Sequence, residues 1–588
     1  MNINGRSMIA KLLTSLFILI GAYGVFFLNK LPVLQDLDIT KEETYFSVNQ
    51  VGYFIFGPKI AYITHFKFNK TIKLVNLDTQ KVTQLKIKPL HFNNSELSAT
   101  AKIDFSQIQE PGEYILLINN IRSPKFKINQ VIYSETITQL LRSFYYQRCG
   151  QSINDELFKI NHKACHLKDA VLSRALYGVD IKNYSSFSAV GGWHDAGDFG
   201  KYVATTTVSL GRVLSSYQDH PDILQKIDLS LNKPEGILPD VLVEMQYGLD
   251  WLLTMQYVNG SVFRKVAGKN WPSLMSPVED VQTRYVYGIS TEDTAKFAAT
   301  MALAARIWIK FDRVKAETYF NAAQKAWQYL EQEQSYYIDW NKSDDSGSGP
   351  YKSNNVDTEA SLLHDNDDRF WAAAELYITT KNKIYLQYIN KNIELPVNIF
   401  EWKDPSLLGK WNLITQLCQA QSLQYCTIFK HQILTRAAIA LSRYDKSDYA
   451  LANQKFIWGS NKIAAEEGIL LLMAYQLNGE KKYFDAAVAQ ADYLLGSNPF
   501  SLSFVTGIGE RAVKHINHIW ARAENIEIPG LLVGGPNSLA QAKIAPKNKG
   551  ILSYVDNEKS YAVNEYAIDY NASLITLLIQ LSVFSIEE

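Results

Sequence analysis

The chain has 588 residues, of which 47% are hydrophobic and 12% aromatic, so it can form a large core and an additional small domain, and its composition excludes a disordered protein. Lys plus Arg and Asp plus Glu both number 59. The net charge is therefore zero, and the protein has no overall electrostatic attraction for a nucleic acid or an anionic surface. We expect an uncharged partner and no nucleic acid. We also expect a monomer.

Residues 1–30 have the features of an export segment. Arg6 and Lys11 precede a charge-free apolar run, residues 12–28, which ends before Lys30. The run is at the short limit for spanning a bilayer and longer than most signal-peptide cores. Both a cleaved signal peptide and an inner-membrane anchor therefore remain open, and we favour the anchor. Either alternative predicts an extracytoplasmic protein that is secreted, periplasmic or anchored to the membrane.

Residues 31–44 are predicted to be a linker, and residues 45–131 a small antiparallel sandwich. Short apolar runs such as 59–63 and 114–118 follow Gly-Pro and Pro-Gly turn signals, and residues 46–53 alternate in polarity. This pattern predicts β-strands, and the length matches an immunoglobulin-like module.

Residues 135–586 have helical periodicity with long loops between the helical segments. In residues 240–257, for example, Val241, Met245, Leu249 and Leu252 share one face behind Pro239. About a dozen such segments in one unit favour a barrel of paired helices over a simple bundle. The others include residues 135–148, 202–217, 292–311, 315–333, 368–380, 383–395, 428–443, 463–478, 481–495 and 564–583.

Residues 191–202, GGWHDAGDFGKY, form the most chemistry-rich passage. Asp195 and Asp198 lie in a glycine-rich loop, where the backbone can approach a ligand closely and two like charges raise the proton affinity of at least one carboxyl. Taken alone, the loop also matches an Asx turn, a helix cap or a calcium loop.

A second carboxylate, Glu565, lies in residues 561–572, YAVNEYAIDYNA. It is predicted just inside the last helix, where an acid in the first turn would also complement the helix dipole.

These two passages resemble the GGW-x-DAGD-[YF]-GKY and NE-x-x-x-x-YNA signatures of glycoside hydrolase family 9. Residues 144–150, 369–377 and 458–461 resemble further landmarks of that family, and residues 49–53 resemble the start of its immunoglobulin-like domain. The resemblance implies a mainly α (α/α)6-barrel hydrolase domain preceded by an all-β sandwich, and no organic cofactor.

The resemblance also implies an inverting mechanism. Asp198 would be the general base, Asp195 would help to hold the attacking water, and Glu565 would be the general acid. Direct displacement requires one ionised and one protonated carboxyl on opposite faces of the sugar.

Cys149, Cys165, His166 and His194 form a Cys2His2 set that suits a closed, structural zinc site, as members with the same domain order have. A disulfide between Cys149 and Cys165 is the alternative. The remaining cysteines, Cys418 and Cys426, are either a local disulfide or two separate thiols. Calcium is a further candidate for a bound ion.

The sequence departs from the family in a PHHR-like sugar-binding run after the VTG-x-G segment. In register, Asn517 replaces a histidine and Ile519 the arginine. His515, His518, Arg522 and Trp520 remain candidate sugar ligands, with loop packing as the alternative for the first three. Trp520 and another tryptophan, Trp271, are candidate stacking platforms, and core packing is the alternative for Trp271.

The protein is predicted to be an endoglucanase, and its predicted substrate is a β-1,4-glucan polysaccharide or oligosaccharide. Because the binding run is altered, cellulose, mixed-linkage glucan, cello-oligosaccharides and amino-sugar polymers all remain open. Alternatives are an exo-acting β-glycosidase such as an exo-β-glucosaminidase, a carbohydrate-binding protein without catalysis, and a structural surface protein.

Overall fold

A computed structural model describes residues 32–34, 43–65, 71–85, 100–172, 187–231, 238–339, 364–418 and 424–587. The predicted anchor, residues 12–28, lies outside these ranges. Within them, no helix is both long enough and apolar enough to span a membrane.

The N-terminal part is all-β. One sheet has the order β1-β3-β6 and the other β2-β9-β7-β4-β5, with β8 paired to β7. Inward residues such as Phe46, Ile63 and Leu116 are fully buried in one core, as the alternating pattern predicts. The strands are β1 (Tyr45–Ser47), β2 (Gly52–Phe54), β3 (Ile60–Thr64), β4 (Ile72–Asn76), β5 (Val82–Leu85), β6 (Ala101–Asp104), β7 (Gly112–Ile118), β8 (Ile121–Arg122) and β9 (Phe126–Asn129).

The rest of the chain is mostly helical. The helices are α1 (Ser134–Tyr146), α2 (Val203–Asp219), α3 (Pro221–Leu224), α4 (Asp240–Thr254), α5 (Thr291–Trp308), α6 (Arg313–Gln332), α7 (Asn366–Thr380), α8 (Lys383–Lys391), α9 (Ser406–Leu417), α10 (Gln424–Lys446), α11 (Ser460–Asn478), α12 (Lys481–Leu494), α13 (Ile519–Glu524), α14 (Tyr561–Asn564) and α15 (Ile568–Glu587). Helix α2 packs against α5 and α15, α5 against α6 and α7, α7 against α9, and α11 against α12 and α15.

Helix α9 has no counterpart among the predicted helical segments. Its polar residues Lys410 and Asn412 are fully buried, so they interrupt the apolar period while facing the core. Lys410 donates to Gln432 Oε1 (2.6 Å), and Asn412 donates to Glu375 Oε1 (2.7 Å). The apolar periodicity therefore did not predict this helix, because buried polar residues with hydrogen-bond partners interrupt it.

The helical part also contains strands that the periodicity did not predict. Four of them form a sheet in the order β12-β15-β14-β13. Every residue of β14 is buried, so it has no alternation to detect. The strands are β10 (Ile153–Asp155), β11 (Ile160–His162), β12 (Val171–Leu172), β13 (Lys201–Tyr202), β14 (Val262–Gly268) and β15 (Arg284–Ser290).

The β-domain docks on the helical domain through the segment between β1 and β2. Asn49 Nδ2 donates to Asp492 Oδ1 (2.7 Å), and the Gln50 backbone N–H donates to the Leu495 carbonyl (2.9 Å). Glu510 accepts a salt bridge from Arg122 (2.7 Å). The two domains are therefore joined by specific, partly buried hydrogen bonds.

Candidate active site

The loop that carries Asp195 and Asp198 is closed by its own backbone. The Asp195 N–H donates to the Gly200 carbonyl (2.9 Å), and the Gly200 N–H donates to Asp198 Oδ2 (2.8 Å). Gly192 has a φ of +73°, and a Cβ there would lie 2.5 Å from the Trp251 ring. The glycines therefore allow a tight loop that packs directly on helix α4.

Glu565 does not lie inside the last helix, contrary to the prediction. It follows α14 with extended backbone (φ −83°, ψ 139°), ahead of α15. It forms a parallel bridge with Asn517, and its carbonyl accepts from the Gly534 N–H (2.8 Å). These pairings to neighbouring segments replace the helical hydrogen bonds at this residue.

The two carboxylate passages meet at Gly197. A Cβ on Gly197 would lie 2.2 Å from the Asn517 carbonyl oxygen and 3.2 Å from Glu565 Oε1. The Ile568 N–H at the start of α15 donates to the Asp195 carbonyl (2.9 Å). The predicted convergence of the glycine-rich loop with the C-terminal acid is thus present, and Gly197 permits it because any side chain there would clash.

The three carboxyls differ in their electrostatic surroundings. Burial, followed by the charges of Asp198 and Asp195, raises the pKa of Glu565 well above its usual value. Burial and the charge of Asp569 do the same for the pKa of Asp195. Burial also raises the pKa of Asp198, but the Gly200 N–H and the Arg284 charge oppose that rise. Asp198 is therefore the carboxyl with the most support for its ionised form.

Access to the three carboxyls is retained. Asp195 and Glu565 are partly exposed, and Asp198, although 8% exposed, lines an open pocket. Asp195 Oδ1 is buried and has no hydrogen-bond partner in the protein. An acceptor without a protein partner beside the reaction site is a position for a bound water.

The four predicted metal ligands form one cluster. Their donor atoms all lie within 4.8 Å of one another. His166 Nδ1 lies 3.6 Å from Cys149 Sγ and 3.3 Å from His194 Nε2, and Cys165 Sγ lies 4.0 Å from His194 Nε2. Both cysteines are free, so the alternative of a Cys149–Cys165 disulfide is wrong, whereas the Cys418–Cys426 disulfide is confirmed.

The cluster is connected to the loop that carries the carboxylates. His194 directly precedes Asp195, and the His194 N–H donates to the Gln147 carbonyl (2.7 Å). His166 Nε2 faces Asp280 Oδ2 (3.4 Å), the carboxylate–histidine pairing that orients metal-binding imidazoles. Any ion held here would therefore fix the loop relative to the end of α1.

Comparison with known proteins identifies the family. The family model described as Glycosyl hydrolase family 9 matches residues 133–578, and that described as Cellulase N-terminal ig-like domain matches residues 41–123. The chain belongs to glycosyl hydrolase family 9. A xyloglucan-specific endo-β-1,4-glucanase from Bacteroides ovatus is 30% identical over 92% of this chain and 94% of its own length. A cellodextrinase from Butyrivibrio fibrisolvens is 29% identical over 90% of this chain and 98% of its own.

Solved structures agree with this family 9 assignment. A metagenome-derived family 9 endoglucanase superposes with a TM-score of 0.83 at 35% identity, covering 92% of this chain and 99% of its own. A zinc-binding triple mutant of family 9 endoglucanase J30 gives a TM-score of 0.82 at 30% identity, with 90% and 99% covered.

Two of the sugar ligands predicted in the altered run of this family 9 enzyme are wrong. Trp520 is 1% exposed and has no open face for a sugar ring. His518 is 2% exposed, and its ring nitrogens bind Gln147 Oε1 (3.1 Å) and the Ala521 N–H (3.3 Å). Burial lowers the pKa of His518 to about 3, so the ring is neutral and caps α13.

The sugar-binding roles of His515 and Arg522 stay predictions. His515 is exposed, and Arg522 Nη2 lies 3.7 Å from Glu558 Oε1. Asn517 donates to the Glu558 carbonyl (2.6 Å). In this family 9 chain, that hydrogen bond stabilises the segment that pairs with Glu565.

Sequence reasoning missed the roles of two buried cations near the loop that carries Asp198. Lys201 donates to the Ala189 and Gly191 carbonyls (2.7 and 2.9 Å) and pairs with Asp169 Oδ2 (2.7 Å). Arg284, at the start of β15, donates to Asp169 Oδ1 (2.9 Å). A buried arginine in an otherwise apolar strand was the available signal, because such a charge requires a partner.

Proposed function

We propose that this family 9 enzyme is an inverting β-1,4-glucanase. The observation that carries the proposal is the meeting of Asp198, Asp195 and Glu565 around Gly197. Burial raises the pKa of both Asp198 and Glu565, but an N–H and a cation oppose the rise at Asp198, whereas neighbouring carboxylates add to it at Glu565. Glu565, whose pKa is raised well above its usual value by burial and by Asp198 and Asp195, stays protonated and gives its proton to the leaving oxygen. Asp198 stays ionised and removes a proton from water, which Asp195 Oδ1 helps to hold.

Endo cleavage of a glucan chain is the proposed action. Relatives named for endo-β-1,4-glucanase and cellodextrinase activity support a β-glucan substrate, from polysaccharide to short oligosaccharide. A structural neighbour at 26% identity and a TM-score of 0.80, covering 92% of this chain and 100% of its own, is in complex with a cellobiose-like isofagomine. Mixed oligomers among the products would support endo cleavage, whereas one small sugar from the start would indicate an exo-acting β-glycosidase.

Zinc is the proposed ion for Cys149, Cys165, His166 and His194. Tetrahedral zinc has Zn–S distances of about 2.3 Å and Zn–N distances of about 2.0–2.1 Å, which places neighbouring donors about 3.3–3.8 Å apart. Three of the six donor separations are 3.3, 3.6 and 4.0 Å, and all lie within 4.8 Å, which is close to this shell. Four protein ligands leave no open position, so the ion would hold the loop and take no part in hydrolysis. The calcium alternative for Asp195 and Asp198 stays a prediction.

We also propose an architecture and a cellular location for the protein. The packing of α2, α5, α7 and α9 in succession, and of α11 with α15 and α15 with α2, supports an (α/α)6 barrel. The Cys418–Cys426 disulfide supports an extracytoplasmic, oxidising location. Mass spectrometry of the N-terminus in membrane and soluble fractions would distinguish an intact anchor from cleavage.

The assignment of roles is tested by removing each carboxylate. Asp198→Asn and Glu565→Gln should each abolish sugar release from β-glucan with unchanged circular dichroism, while exposed Glu524→Gln should keep full activity. The anomeric configuration of fresh product, followed by NMR, should be α. Retained activity in either variant, or a β product, would refute the proposed mechanism.

A further inference from the structure

His518 is buried next to the active site, and the roles of the base and the acid do not explain it. The residue is 2% exposed and follows Asn517 in the run that departs from the family. Residues 517–519 lie between the two carboxylate passages, and we call them the spacer. A buried histidine holds its place through hydrogen bonds, so its partners indicate what it does.

The backbone of the spacer is hydrogen-bonded to both carboxylate passages. On one side, the Asn517 N–H donates to the Asn564 carbonyl (2.9 Å), and Asn517 forms the parallel bridge with Glu565. On the other side, the Ile519 N–H donates to the Gly197 carbonyl (2.8 Å). A Cβ on Gly197 would lie 2.2 Å from the Asn517 carbonyl oxygen, so the two segments are in direct contact. These three residues therefore fix how far the glycine-rich loop lies from Glu565.

The His518 side chain adds a directed link to the same loop. The neutral ring accepts from the Ala521 N–H at Nδ1 (3.3 Å), so its proton is on Nε2, which donates to Gln147 Oε1 (3.1 Å). Because its oxygen is held there, the Gln147 amide directs its Nε2 toward the loop and donates to the Ala196 carbonyl (2.8 Å). Each hydrogen bond thus sets the direction of the next.

Gln147 holds the glycine-rich loop at two points. It is 1% exposed and directly follows α1, and its carbonyl accepts from the His194 N–H (2.7 Å). Its side chain makes the second contact, at Ala196. Asp195 lies between these two points, and Asp198 follows two residues later. The side-chain contact is the one whose geometry depends on His518.

Inversion places a strict demand on this geometry. The two carboxyls need a separation of about 6.5–9.5 Å, because a water must fit between the sugar and the base. We propose that residues 517–519 are a spacer that fixes this separation, and that His518, acting through Gln147, is a positioning residue for the loop that carries the base. His518 itself contacts no substrate. This rests on the proposed roles of Asp198 and Glu565.

Two substitutions of His518 separate the link from the helix cap. His518→Asn keeps a capping oxygen for α13 but is too short to reach Gln147. It should lower kcat on cello-oligosaccharides on the order of tenfold to a hundredfold, the effect of a base misplaced by up to about 1 Å, while KM stays within about twofold. His518→Gln restores a donor to Gln147 and loses the cap, so it should recover most of kcat at a lower melting temperature.

A second substrate shows whether the base or the acid is displaced. Fluoride leaves β-cellobiosyl fluoride without a proton from the acid, but hydrolysis still needs the base. His518→Asn should therefore lose kcat on the fluoride as strongly as on cello-oligosaccharides. In a Gln147→Leu background, His518→Asn should cost no further kcat, because the link is already broken.

The matched control is Asp312→Ala, which removes the exposed N-cap of α6, where Asp312 accepts from the Lys315 N–H (3.0 Å). It should lower the melting temperature and leave kcat and KM unchanged, so a loss of stability alone does not imitate the expected result. Full kcat in His518→Asn, equal losses in His518→Asn and His518→Gln, additive losses in the double variant, or unchanged hydrolysis of the fluoride would overturn the proposal. A raised KM at unchanged kcat would do the same, because it would indicate a role in binding.

The proposed function fails separately. If Asp198→Asn or Glu565→Gln keeps its activity on β-glucan, the mechanism is wrong whatever His518 does. If both lose that activity and His518→Asn cleaves like wild type, only the positioning role is wrong.

Discussion

The side chain of Gln50 is predicted to stabilise the junction between the two domains. It is 6% exposed, its Nε2 donates to the Arg511 carbonyl (2.9 Å), and its Oε1 accepts from the Arg511 N–H (2.7 Å). A Cβ on Gly496 or Gly509 would lie within 2.8 Å of Gln50 atoms, so the Gln50 side chain occupies the space beside these two glycines. Gln50→Ala therefore removes the partner of the Arg511 N–H, while the Arg511 carbonyl keeps the hydrogen bond from the Ser503 N–H (2.8 Å).

One buried group left unpaired costs about 1–3 kcal/mol, and water recovers part of this at Arg511, which is partly exposed, so we expect a loss of about 1–2 kcal/mol. The loss appears as a lower urea concentration at the unfolding midpoint, and unfolding is monitored by tryptophan fluorescence. The control Gln225→Ala changes an exposed glutamine and should stay within about 0.5 kcal/mol of wild type. A Gln50→Ala midpoint equal to that of the control would refute the reasoning.

Three further predictions concern buried groups. Burial raises the pKa of Asp492 to about 8, so the folded protein keeps a proton that the unfolded chain releases above about pH 4, and stability should fall as pH rises from about 4 to about 8. Asp492→Asn should flatten that decline in melting temperature; an unchanged slope would contradict it. Cys149→Ser, or treatment with a strong chelator, should release zinc measurable by mass spectrometry and lower the melting temperature; an equal zinc content in variant and wild type would exclude the site. Replacing Cys418 and Cys426 together by Ser should cost about 2.5 kcal/mol in urea unfolding, from the entropy of a loop of about nine residues, and no change in midpoint would show that the bond does not stabilise the folded state.

The parts of the fold that sequence could predict are those with a regular period. Strands β1 to β9 lie within residues 45–131, and most helices match the predicted segments, because one apolar face leaves a clear period. Helix α9 was missed because buried polar residues interrupt its apolar period, and strand β14 was missed because it is buried on both faces and therefore lacks alternation. Tertiary burial, which a single sequence does not display, decided both.

The site shows a similar division. The structure brings Asp198 near Glu565 and gathers the four predicted metal ligands, which could be selected from the sequence because the carboxylates lie in passages that resemble family signatures and the ligand types suit zinc. Trp520 and His518 were assigned wrongly because an aromatic or imidazole side chain serves packing and binding equally well, and only burial distinguishes the two roles. Arg284 was missed because the residue lies more than eighty positions from the loop that it supports.

The candidate metal cluster and the proposed base, Asp198, share supporting residues through Asp169. This carboxylate accepts Lys201, which holds the end of the glycine-rich loop, and Arg284, which lines the pocket, and it lies 4.0 Å from Cys149 Sγ. A zinc ion on Cys149 would neutralise the thiolate that otherwise faces the same buried cations. Without the ion, Cys149 competes with Asp169 for Lys201 and Arg284, and both the loop and the pocket lose part of their support. Metal loss should therefore weaken substrate binding before the helical domain unfolds, which titration calorimetry below the melting temperature of the metal-free protein would detect as a lower affinity for cello-oligosaccharides.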